Sequence, residues 1–367
     1  MLEMTGSADE AKRLGRPLRT AIFGATGTTG VELTKLVERH PNCAIAYATS
    51  RGHAGESLRV VDPSAPNVAL HAPDDVSLAD LDLAFLCLPH GSSATQAELC
   101  LRAGVRCVDL SGDLRLADGD THARVYGTPR SEAVAKEAVY AISELHGEAV
   151  PGARLVSNPG CYPTCSGLAL EPLARAGWLK GPVMINALSG ISGAGRKPNA
   201  NTHFCAVYDD VRPYKLGRDH RHAAEIEQNL AGWVPKDQPA PKVVFCPHVI
   251  PMERGMLATI VVDLPGHSAA EVHELFVERY DAATLVEVLP LGEPARIRAV
   301  ARTPLAVIGV HDVAGTDHVV ITSAIDNLLK GAASQALQNM NLALGFPETL
   351  GLTEGLGLTR GRAIAQA

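Results

Sequence analysis

The feature that most constrains the fold is a glycine-rich turn near the start of the chain, in LRTAIFGATGTTGVELTKLV. Residues 20–23 are typical of a short strand, Gly24, Gly27 and Gly30 follow, and apolar residues then recur at helical spacing. This order predicts a βαβ unit in which Gly24 makes the tight turn, Gly27 lets a backbone approach a pyrophosphate and Gly30 allows close helix packing. The helix N-terminus would face the phosphate. An ordinary βα turn has the same pattern, so both interpretations stay open here.

The end of the next strand indicates which dinucleotide such a turn would bind. Ser50 and Arg51 stand in CAIAYATSRGHAG, where NAD enzymes tend to place an acidic residue for the ribose hydroxyls. A hydroxyl and a guanidinium suit a 2′-phosphate, so NADP(H) is the expected cofactor. The alternative for Arg51 is a solvated loop arginine.

Two later segments continue the pattern of alternating strands and helices. LDLAFLCLPHGSS and GVRCVDLSGDLRL each combine a buried strand with a glycine-bearing loop, and a helical segment separates them. Ligands of such sheets bind beyond the carboxyl ends of the strands, where Pro89 and residues 111–115 would lie. With 367 residues, few aromatics and 34 glycines, the chain is expected to be an α/β protein of two domains.

Composition and charge exclude several function classes. The net charge is −7 and no long run of Lys or Arg occurs, so we expect small-molecule partners and no nucleic acid. No apolar run approaches the ~18 residues that cross a bilayer, and the polar N-terminus lacks the apolar core of a secretory signal. The eight cysteines lie mostly in apolar stretches without a CxxC pair, which favours a reducing cytoplasm and no metal site.

Cys161, in SNPGCYPTCSG, is the candidate nucleophile. Pro163 and Thr164 are typical of a helix start, so the cysteine would lie at a helix N-terminus, where the dipole favours a thiolate. Taken alone, a cysteine near a helix start is more often structural. Downstream, RDHRHAAEIEQ places His220 and His222 at another helix start, as candidate bases or as an exposed polar cap. A cysteine, a histidine and a nicotinamide together indicate acyl transfer coupled to hydride transfer.

Along residues 21–345 the chain resembles the N-acetyl-gamma-glutamyl-phosphate reductases of arginine biosynthesis. The resemblance rests on motifs in the same order, among them GATGTTGVEL, TSRGHAG, LPHG, DLSGDLRL, SNPGCYPT, SGISGAGR, HRHAAEIEQ and DNLLKGAASQALQNMNLALG. It implies NADPH-dependent reduction of N-acetyl-5-glutamyl phosphate to N-acetylglutamate 5-semialdehyde, with release of phosphate and a cysteine thioester intermediate. It also implies a Rossmann-type NADP-binding domain.

The resemblance, with the patterns above, assigns roles to particular residues. Cys161 attacks the acyl phosphate and either His220 or His222 moves the proton, since the sequence does not separate the two. The expected cofactor residues are Gly24, Thr26, Gly27, Thr28, Thr29, Gly30, Ser50, Arg51, Pro89 and Gly193. The expected substrate residues are Arg115, Ser157, Asn158, Arg196, Glu225 and Arg254, with the arginines for phosphate and carboxylate.

Three departures from the family pattern bear on these expectations. Thr28 stands where the family usually has an aromatic residue, Ala224 replaces a common proline, and Thr303 with Pro304 replaces a Gly-Ser/Thr-Asn stretch. We expect the last loop to contact the active site, so it bears on the identity of the acyl group.

Aspartate-semialdehyde dehydrogenase and a carrier-linked aminoadipyl-phosphate reductase are alternative functions with the same chemistry. A non-catalytic NADP-binding regulator would lack the nucleophile or the base, and a cysteine hydrolase would leave the glycine turn unexplained.

The expected domain plan is discontinuous. Residues 1–17 form an extension, residues 18–160 and 324–367 form the cofactor domain, and residues 161–323 form an α+β catalytic and oligomerisation domain with a mixed or antiparallel sheet. The apolar stripe in residues 326–340 predicts a helix capped by Asp326, which in the family returns to the cofactor domain. A homodimer or homotetramer is expected.

Overall fold

The computed structural model describes residues 15–353 and divides them into two compact units. The first comprises residues 15–159 and 332–353, and the second comprises residues 160–331. Most of the expected N-terminal extension, and the last residues of the expected cofactor domain, lie outside the described residues.

The first unit is built on a parallel sheet of seven strands in the order β3-β2-β1-β4-β5-β7-β6. The strands are β1 Leu18–Phe23, β2 Cys43–Thr49, β3 Leu70–His71, β4 Leu83–Leu86, β5 Arg106–Asp109, β6 Ala138–Tyr140 and β7 Leu155–Ser157. The helices are α1 Thr28–Arg39, α2 Ser93–Arg102, α3 Gly119–Tyr126, α4 Glu132–Glu137 and α5 Ser143–His146. The strand order reverses between β1 and β4, which is where ligands of such sheets bind.

The glycine turn after β1 is shaped by close backbone contacts. Gly24 has a φ of +80°, and a Cβ there would lie 2.4 Å from the carbonyl oxygen of Cys87. A Cβ on Gly30 would lie 2.3 Å from the carbonyl oxygen of Gly24, so α1 packs directly on the turn. Helix α1 begins at Thr28, with Gly27 as its N-cap. The strand, turn and helix therefore meet in the order that the sequence predicts.

The second unit contains a mixed sheet of seven strands in the order β12-β13-β14-β11-β8-β10-β9, which confirms the expected sheet type. The strands are β8 Val183–Gly190, β9 Arg212–Pro213, β10 Val243–Ile250, β11 Met256–Asp263, β12 Val286–Val288, β13 Ala306–Asp312 and β14 His318–Ile325. The helices are α6 Cys161–Arg175, α7 Phe204–Val207, α8 Arg221–Trp233, α9 Ala269–Tyr280 and α10 Ile297–Val300. Helix α6 packs against α8, β11 and β14.

The chain leaves the second unit eight residues later than the expected boundary at 324. Strand β14 pairs with β11 and β13 through Ile325, so residues 324 and 325 belong to the second sheet. The carboxylate of Asp326 then accepts the N–H groups of Leu328 and Leu329, as a helix cap does. A π-helical turn, Leu329–Ala333, follows, and helix α11 comprises Ser334–Ala343 in the first unit. The predicted helix over residues 326–340 therefore opens with a π-turn.

Within residues 15–353, no helix combines the length and apolar character that crossing a membrane requires. In the same range, no group of three or more His, Cys, Asp or Glu side chains is arranged to hold a metal ion.

Gly24→Ala should destabilise the first unit more than Gly104→Ala. Both glycines have a φ near +80°, but the added methyl at Gly104 meets open space, whereas at Gly24 it meets the Cys87 carbonyl. The left-handed conformation costs an alanine about 1–2 kcal/mol at either site, and the clash at Gly24 should add about 1–3 kcal/mol. Urea denaturation followed by circular dichroism measures the difference. Equal losses of unfolding free energy in the two variants would contradict the close contact between Gly24 and the Cys87 carbonyl.

Candidate active site

Cys161 is the first residue of helix α6, with Gly160 as the N-cap. The helix starts two residues before the predicted opening at Pro163, and the Thr164 hydroxyl donates to the Gly160 carbonyl at 3.0 Å. All residues from Tyr162 to Ala174 are buried, so the helix is fixed on all sides. The partly exposed Cys161 side chain therefore lies at the positive end of a rigid helix dipole, which favours a thiolate.

A cavity of about 580 Å³ in the second unit contains this cysteine. Its walls come from the first turn of α6, the end of β8 with the turn after it, and the segment that leads into α8. The residues that carry polar side chains there are Cys161, Tyr162, Ser189, Asn199, Asn201, Thr202, Arg212, Tyr214, Lys215, His220, Arg221 and His222. The cysteine and both predicted histidines thus share one cavity.

His220 is the N-cap of α8 and is held neutral. Its Nδ1 accepts the backbone N–H of His222 at 3.1 Å, and its ring meets Tyr162 and Tyr214 edge to face. Burial, reinforced by the positive charges of Arg221 and Lys215, lowers the pKa of His220 from 6.5 to about 3. Because Nδ1 is an acceptor, the neutral ring carries its proton on Nε2.

His222 and Glu225 hold the turn that precedes the cysteine. A Cβ on Gly160 would lie 2.5 Å from Nε2 of His222, so only a glycine lets the ring approach this closely. A carboxylate oxygen of Glu225 accepts the Gly160 N–H at 2.9 Å. Glu225, expected to contact substrate, is fully buried and instead binds the backbone next to Cys161.

Three cations line the cavity, and two of them, Arg212 and Lys215, are not among the site residues that the sequence predicts. Arg212 donates to the side-chain and backbone oxygens of Asn201, and Arg221 begins α8. Lys215 has a φ of +45°, and its ammonium group makes no hydrogen bond or ion pair within residues 15–353. The density of basic residues in VRPYKLGRDHRH was the available signal for Arg212 and Lys215.

The arginines expected to bind substrate lie elsewhere. Arg196 is exposed in the loop after β8 and is not among the residues that line the cavity. Arg254 is buried, with guanidinium nitrogens 3.5 Å from the Asp326 carboxylate and 3.6 Å from that of Glu253. Its charge is therefore paired with carboxylates of the same unit. Neither arginine is among the residues that line the cavity.

Arg115, Ser157 and Asn158 belong to the first unit and are buried there. The guanidinium of Arg115 donates to the carbonyl of Asn158 at 2.8 Å and to that of Leu110 at 2.7 Å. Asn158 has no exposed surface, and its side chain bonds to the Ala332 carbonyl and the Asn339 amide. Ser157 is fully buried as well, and substrate contact by these two residues stays a prediction. Phosphate binding by Arg115 stays a prediction.

A second cavity, of about 340 Å³, lies in the first unit at the carboxyl ends of its strands. The Thr26 and Ser50 hydroxyls are 3.1 Å apart at its edge, and the Gly24 N–H donates to the Thr49 hydroxyl. Of the expected cofactor residues, those lining it are Gly24, Thr26, Gly27, Ser50, Arg51 and Pro89; Phe23, Thr49, Pro73, Cys87, Leu88, Ser92 and Gln96 complete the wall. Gly24 and Gly27 shape the floor of this groove, and floors of this kind let a pyrophosphate approach the backbone at a helix N-terminus.

Four expected cofactor residues lie outside this groove. Thr28, Thr29 and Gly30 form the first turn of α1 and are not part of the groove wall. Gly193 belongs to the second unit and lines the cysteine cavity, because the turn after β8 folds over that site.

The departures at residues 224 and 303–304 lie outside the cavity wall. Ala224 lies within the first turn of α8, which His220 already caps. Thr303 and Pro304 do not line the cavity, and their expected contact with the active site stays a prediction. Their loop contacts Asp326, the residue that caps the π-turn after β14, because the N–H of Arg302 donates to the Asp326 carboxylate at 2.7 Å.

The two units, with the cysteine at a helix start, correspond to the two domains of the semialdehyde dehydrogenase family. Residues 19–153 match the semialdehyde dehydrogenase NAD binding domain, and residues 161–327 match the semialdehyde dehydrogenase dimerisation domain. Aspartate semialdehyde dehydrogenase II from Vibrio cholerae has the same fold, with a TM-score of 0.69 and 17% identity over 89% of this chain and 98% of that one. Aspartate semialdehyde dehydrogenase with NADP from Candida albicans has a TM-score of 0.65 and 13% identity, over 89% of this chain and 99% of that one.

The relatives define the branch within this class. N-acetyl-gamma-glutamyl-phosphate reductase from Neisseria meningitidis serogroup C is 41% identical over 342 residues, 92% of this chain and 97% of its own. The enzyme of that name from Alkalilimnicola ehrlichii is 42% identical over 338 residues, 90% and 97% of the two chains. The chain belongs to the N-acetyl-gamma-glutamyl-phosphate reductase family, which confirms the resemblance seen in the motifs.

The neutral state of His220 should make stability depend on pH in a defined direction. The unfolded chain protonates this histidine near pH 6.5 and the folded chain only near pH 3, so stability falls as the pH drops below 6.5. His220→Asn keeps a good N-cap and removes this proton uptake. From about pH 7.5 to about pH 5.5, the unfolding free energy of the variant relative to wild type should rise by about 1.4 kcal/mol.

The fluorescence of Trp178 and Trp233 measures this effect in urea titrations, because both tryptophans of the chain lie in the second unit. A difference between variant and wild type that does not change with pH would show that His220 is not held neutral.

Proposed function

We propose that the protein reduces N-acetyl-5-glutamyl phosphate with NADPH to N-acetylglutamate 5-semialdehyde and phosphate, as a step of arginine biosynthesis. The observation that carries the proposal is the cavity in which Cys161, at the N-terminus of α6, lies with two histidines and three cations. Such a site provides a nucleophile, a hydrogen-bond donor and positive charge for an anionic acyl phosphate. The N-acetylglutamyl identity of the acyl group is inferred from family membership.

The reaction begins at the sulfur of Cys161. Its thiolate attacks the acyl carbon, the bond from that carbon to the phosphate oxygen breaks, and phosphate leaves with the bonding electrons. Bound NADPH supplies the hydride that reduces the resulting thioester. The thiohemiacetal then loses its hydroxyl proton as the carbon–sulfur bond breaks, which releases the aldehyde and regenerates the thiolate.

The two histidines take different roles in this proposal. A histidine with a pKa of about 3 carries no extra proton at neutral pH, so His220 acts through Nε2–H as a hydrogen-bond donor to the developing oxyanion. His222, which packs on Gly160 beside the nucleophile, moves the proton to and from the thiohemiacetal oxygen.

The anionic groups of the substrate are assigned to Arg212, Lys215 and Arg221. A guanidinium or an ammonium binds carboxylate and phosphate through charge-assisted hydrogen bonds. Since the Lys215 ammonium has no protein partner within the described residues, it is the cation most available to a ligand. This assignment replaces Arg196 and Arg254.

NADP(H) is assigned to the groove of the first unit. The floor contains Gly24 and Gly27, whose missing side chains leave room for a pyrophosphate beside the N-terminus of α1. Ser50 and Arg51 stand at the rim, where a hydroxyl and a guanidinium suit a 2′-phosphate.

A homodimer or homotetramer in the cytoplasm completes the proposal. The face of the second sheet carries exposed apolar side chains, with Met184 and Val244 each 43% exposed on neighbouring strands. A second copy of the chain would cover them, in keeping with the dimerisation domain that residues 161–327 match. All eight cysteines are free thiols, as in a reducing compartment.

The purified protein should oxidise NADPH with N-acetyl-5-glutamyl phosphate, and Cys161→Ser should lower kcat by about 10³-fold or more. Cys205→Ser, at an exposed cysteine outside the cavity wall, should retain wild-type turnover. Aspartyl phosphate and a carrier-linked aminoadipyl phosphate serve as alternative substrates in the same assay. Faster turnover of either would reject the proposed acyl group, and full activity of Cys161→Ser would reject the mechanism.

Lys215→Gln should raise the KM for the acyl phosphate about tenfold or more, because a hydrogen bond from a charged group is lost. The KM for NADPH should not change. Lys236→Gln makes the same change at an exposed lysine outside the cavity wall and should leave both constants unaltered. Steady-state kinetics at fixed ionic strength gives both constants. An unchanged acyl-phosphate KM in Lys215→Gln would remove this residue from the anion site.

A further inference from the structure

We infer that Gly331 is a positioning residue for Cys161. A Cβ built on Gly331 would lie 2.8 Å from the Cβ of Cys161 and 3.3 Å from its Cα. Carbon atoms in protein interiors do not pack at 2.8 Å, so only a glycine permits this contact. The bare backbone of Gly331 thereby fixes where the side chain of Cys161 leaves helix α6. The functional meaning of the contact rests on the proposed role of Cys161, whereas the contact itself does not.

Gly331 lies within the π-turn of residues Leu329–Ala333. Its N–H donates to the carbonyl of Asp326, five residues back, at 2.9 Å. Such π-turns are rare, and they occur frequently at functional sites. A glycine inside a helical segment also costs about 1 kcal/mol relative to alanine. The close approach to Cys161 gives a reason for both unfavourable choices at this position.

The π-turn is held from one side by the fully buried Asp326. One carboxylate oxygen accepts the N–H of Leu328 at 2.9 Å and that of Leu329 at 3.1 Å. The other accepts the N–H of Arg302 at 2.7 Å. With both oxygens engaged to backbone groups, the turn cannot move away from Cys161 without breaking buried hydrogen bonds.

The same segment also supports the turn after β8, through Asn327. Its Oδ1 accepts the N–H of Gly255 at 2.7 Å, and its Nδ2 donates to the Ser192 hydroxyl at 3.0 Å. Ser192 belongs to the turn Ile191–Ala194, which lines the cavity. Residues 326–331 therefore contact both the nucleophile and the turn that lines the cavity with it.

An atom added at Gly331 would have a second neighbour besides Cys161. The Cδ1 of Ile325 would lie 3.3 Å from the new Cβ, and Ile325 is fully buried at the end of β14. Removal of that methyl would let the turn shift away from Cys161. The pair Gly331 and Ile325 thus allows the steric effect to be created and then relieved.

The test is alkylation of Cys161 by iodoacetamide in Gly331→Ala, measured by peptide mass spectrometry against the exposed Cys205 of the same sample. We expect alkylation of Cys161 to slow about tenfold, because the sulfur leaves its place at the helix end, while Cys205 reacts as in wild type. The kcat of the reductase should fall about 10- to 100-fold, with the KM for NADPH unchanged. Gly232→Ala, a helix position with open space, should alter none of these.

Ile325→Val in the Gly331→Ala background should restore at least a third of the lost rate, which a merely destabilising change would not allow. A wild-type rate of Cys161 alkylation in folded Gly331→Ala would overturn the inference. If that variant does not fold, Asp326→Asn loosens the turn without added volume: slower alkylation of Cys161 alone supports the inference, and an unchanged rate overturns it. Alkylation needs neither NADPH nor acyl phosphate, so a failed reductase assay leaves this test intact.

Discussion

The chemistry depends on how firmly the N-terminal end of α6 is held. The helix is buried along nearly its whole length, and the fully buried Glu171 ties it to Arg279 through two hydrogen bonds of 2.9 and 3.0 Å. At its start, Glu225 binds the N–H of Gly160 and Gly331 packs on Cys161. A thiol in this place has few alternative positions, and the helix dipole acts on it at constant geometry.

Charge in the cavity is arranged for an anion rather than for a protonated histidine. Burial and the neighbouring Arg221 and Lys215 lower the pKa of His220, and the same two cations line the space beside Cys161. An anionic substrate would complement this positive potential, and the neutral imidazole would remain a donor through Nε2. One set of charges therefore serves substrate binding and keeps the histidine in a defined protonation state.

Sequence reasoning identified the elements better than the directions of their side chains. The spacing of Gly24 and Gly30 predicts a tight turn, and the structure shows the close backbone contacts at both glycines. This prediction succeeds because the need for a glycine depends on backbone close to it in sequence. Asn158 stands within the most specific motif, yet it is buried in hydrogen bonds, since proximity in sequence does not decide which side of a strand end faces a ligand. Lys215 and Gly331 bear on the site through chain segments that only the folded sheet brings to Cys161.

The central claim is that Cys161 carries the acyl group during the reaction. Mixing the protein with N-acetyl-5-glutamyl phosphate in the absence of NADPH, followed by acid quenching and intact-mass and peptide mass spectrometry, tests it most directly. The account predicts an N-acetylglutamyl thioester on Cys161 that disappears when NADPH is added. A reactive enzyme that forms no adduct, or an adduct on another residue, would contradict it.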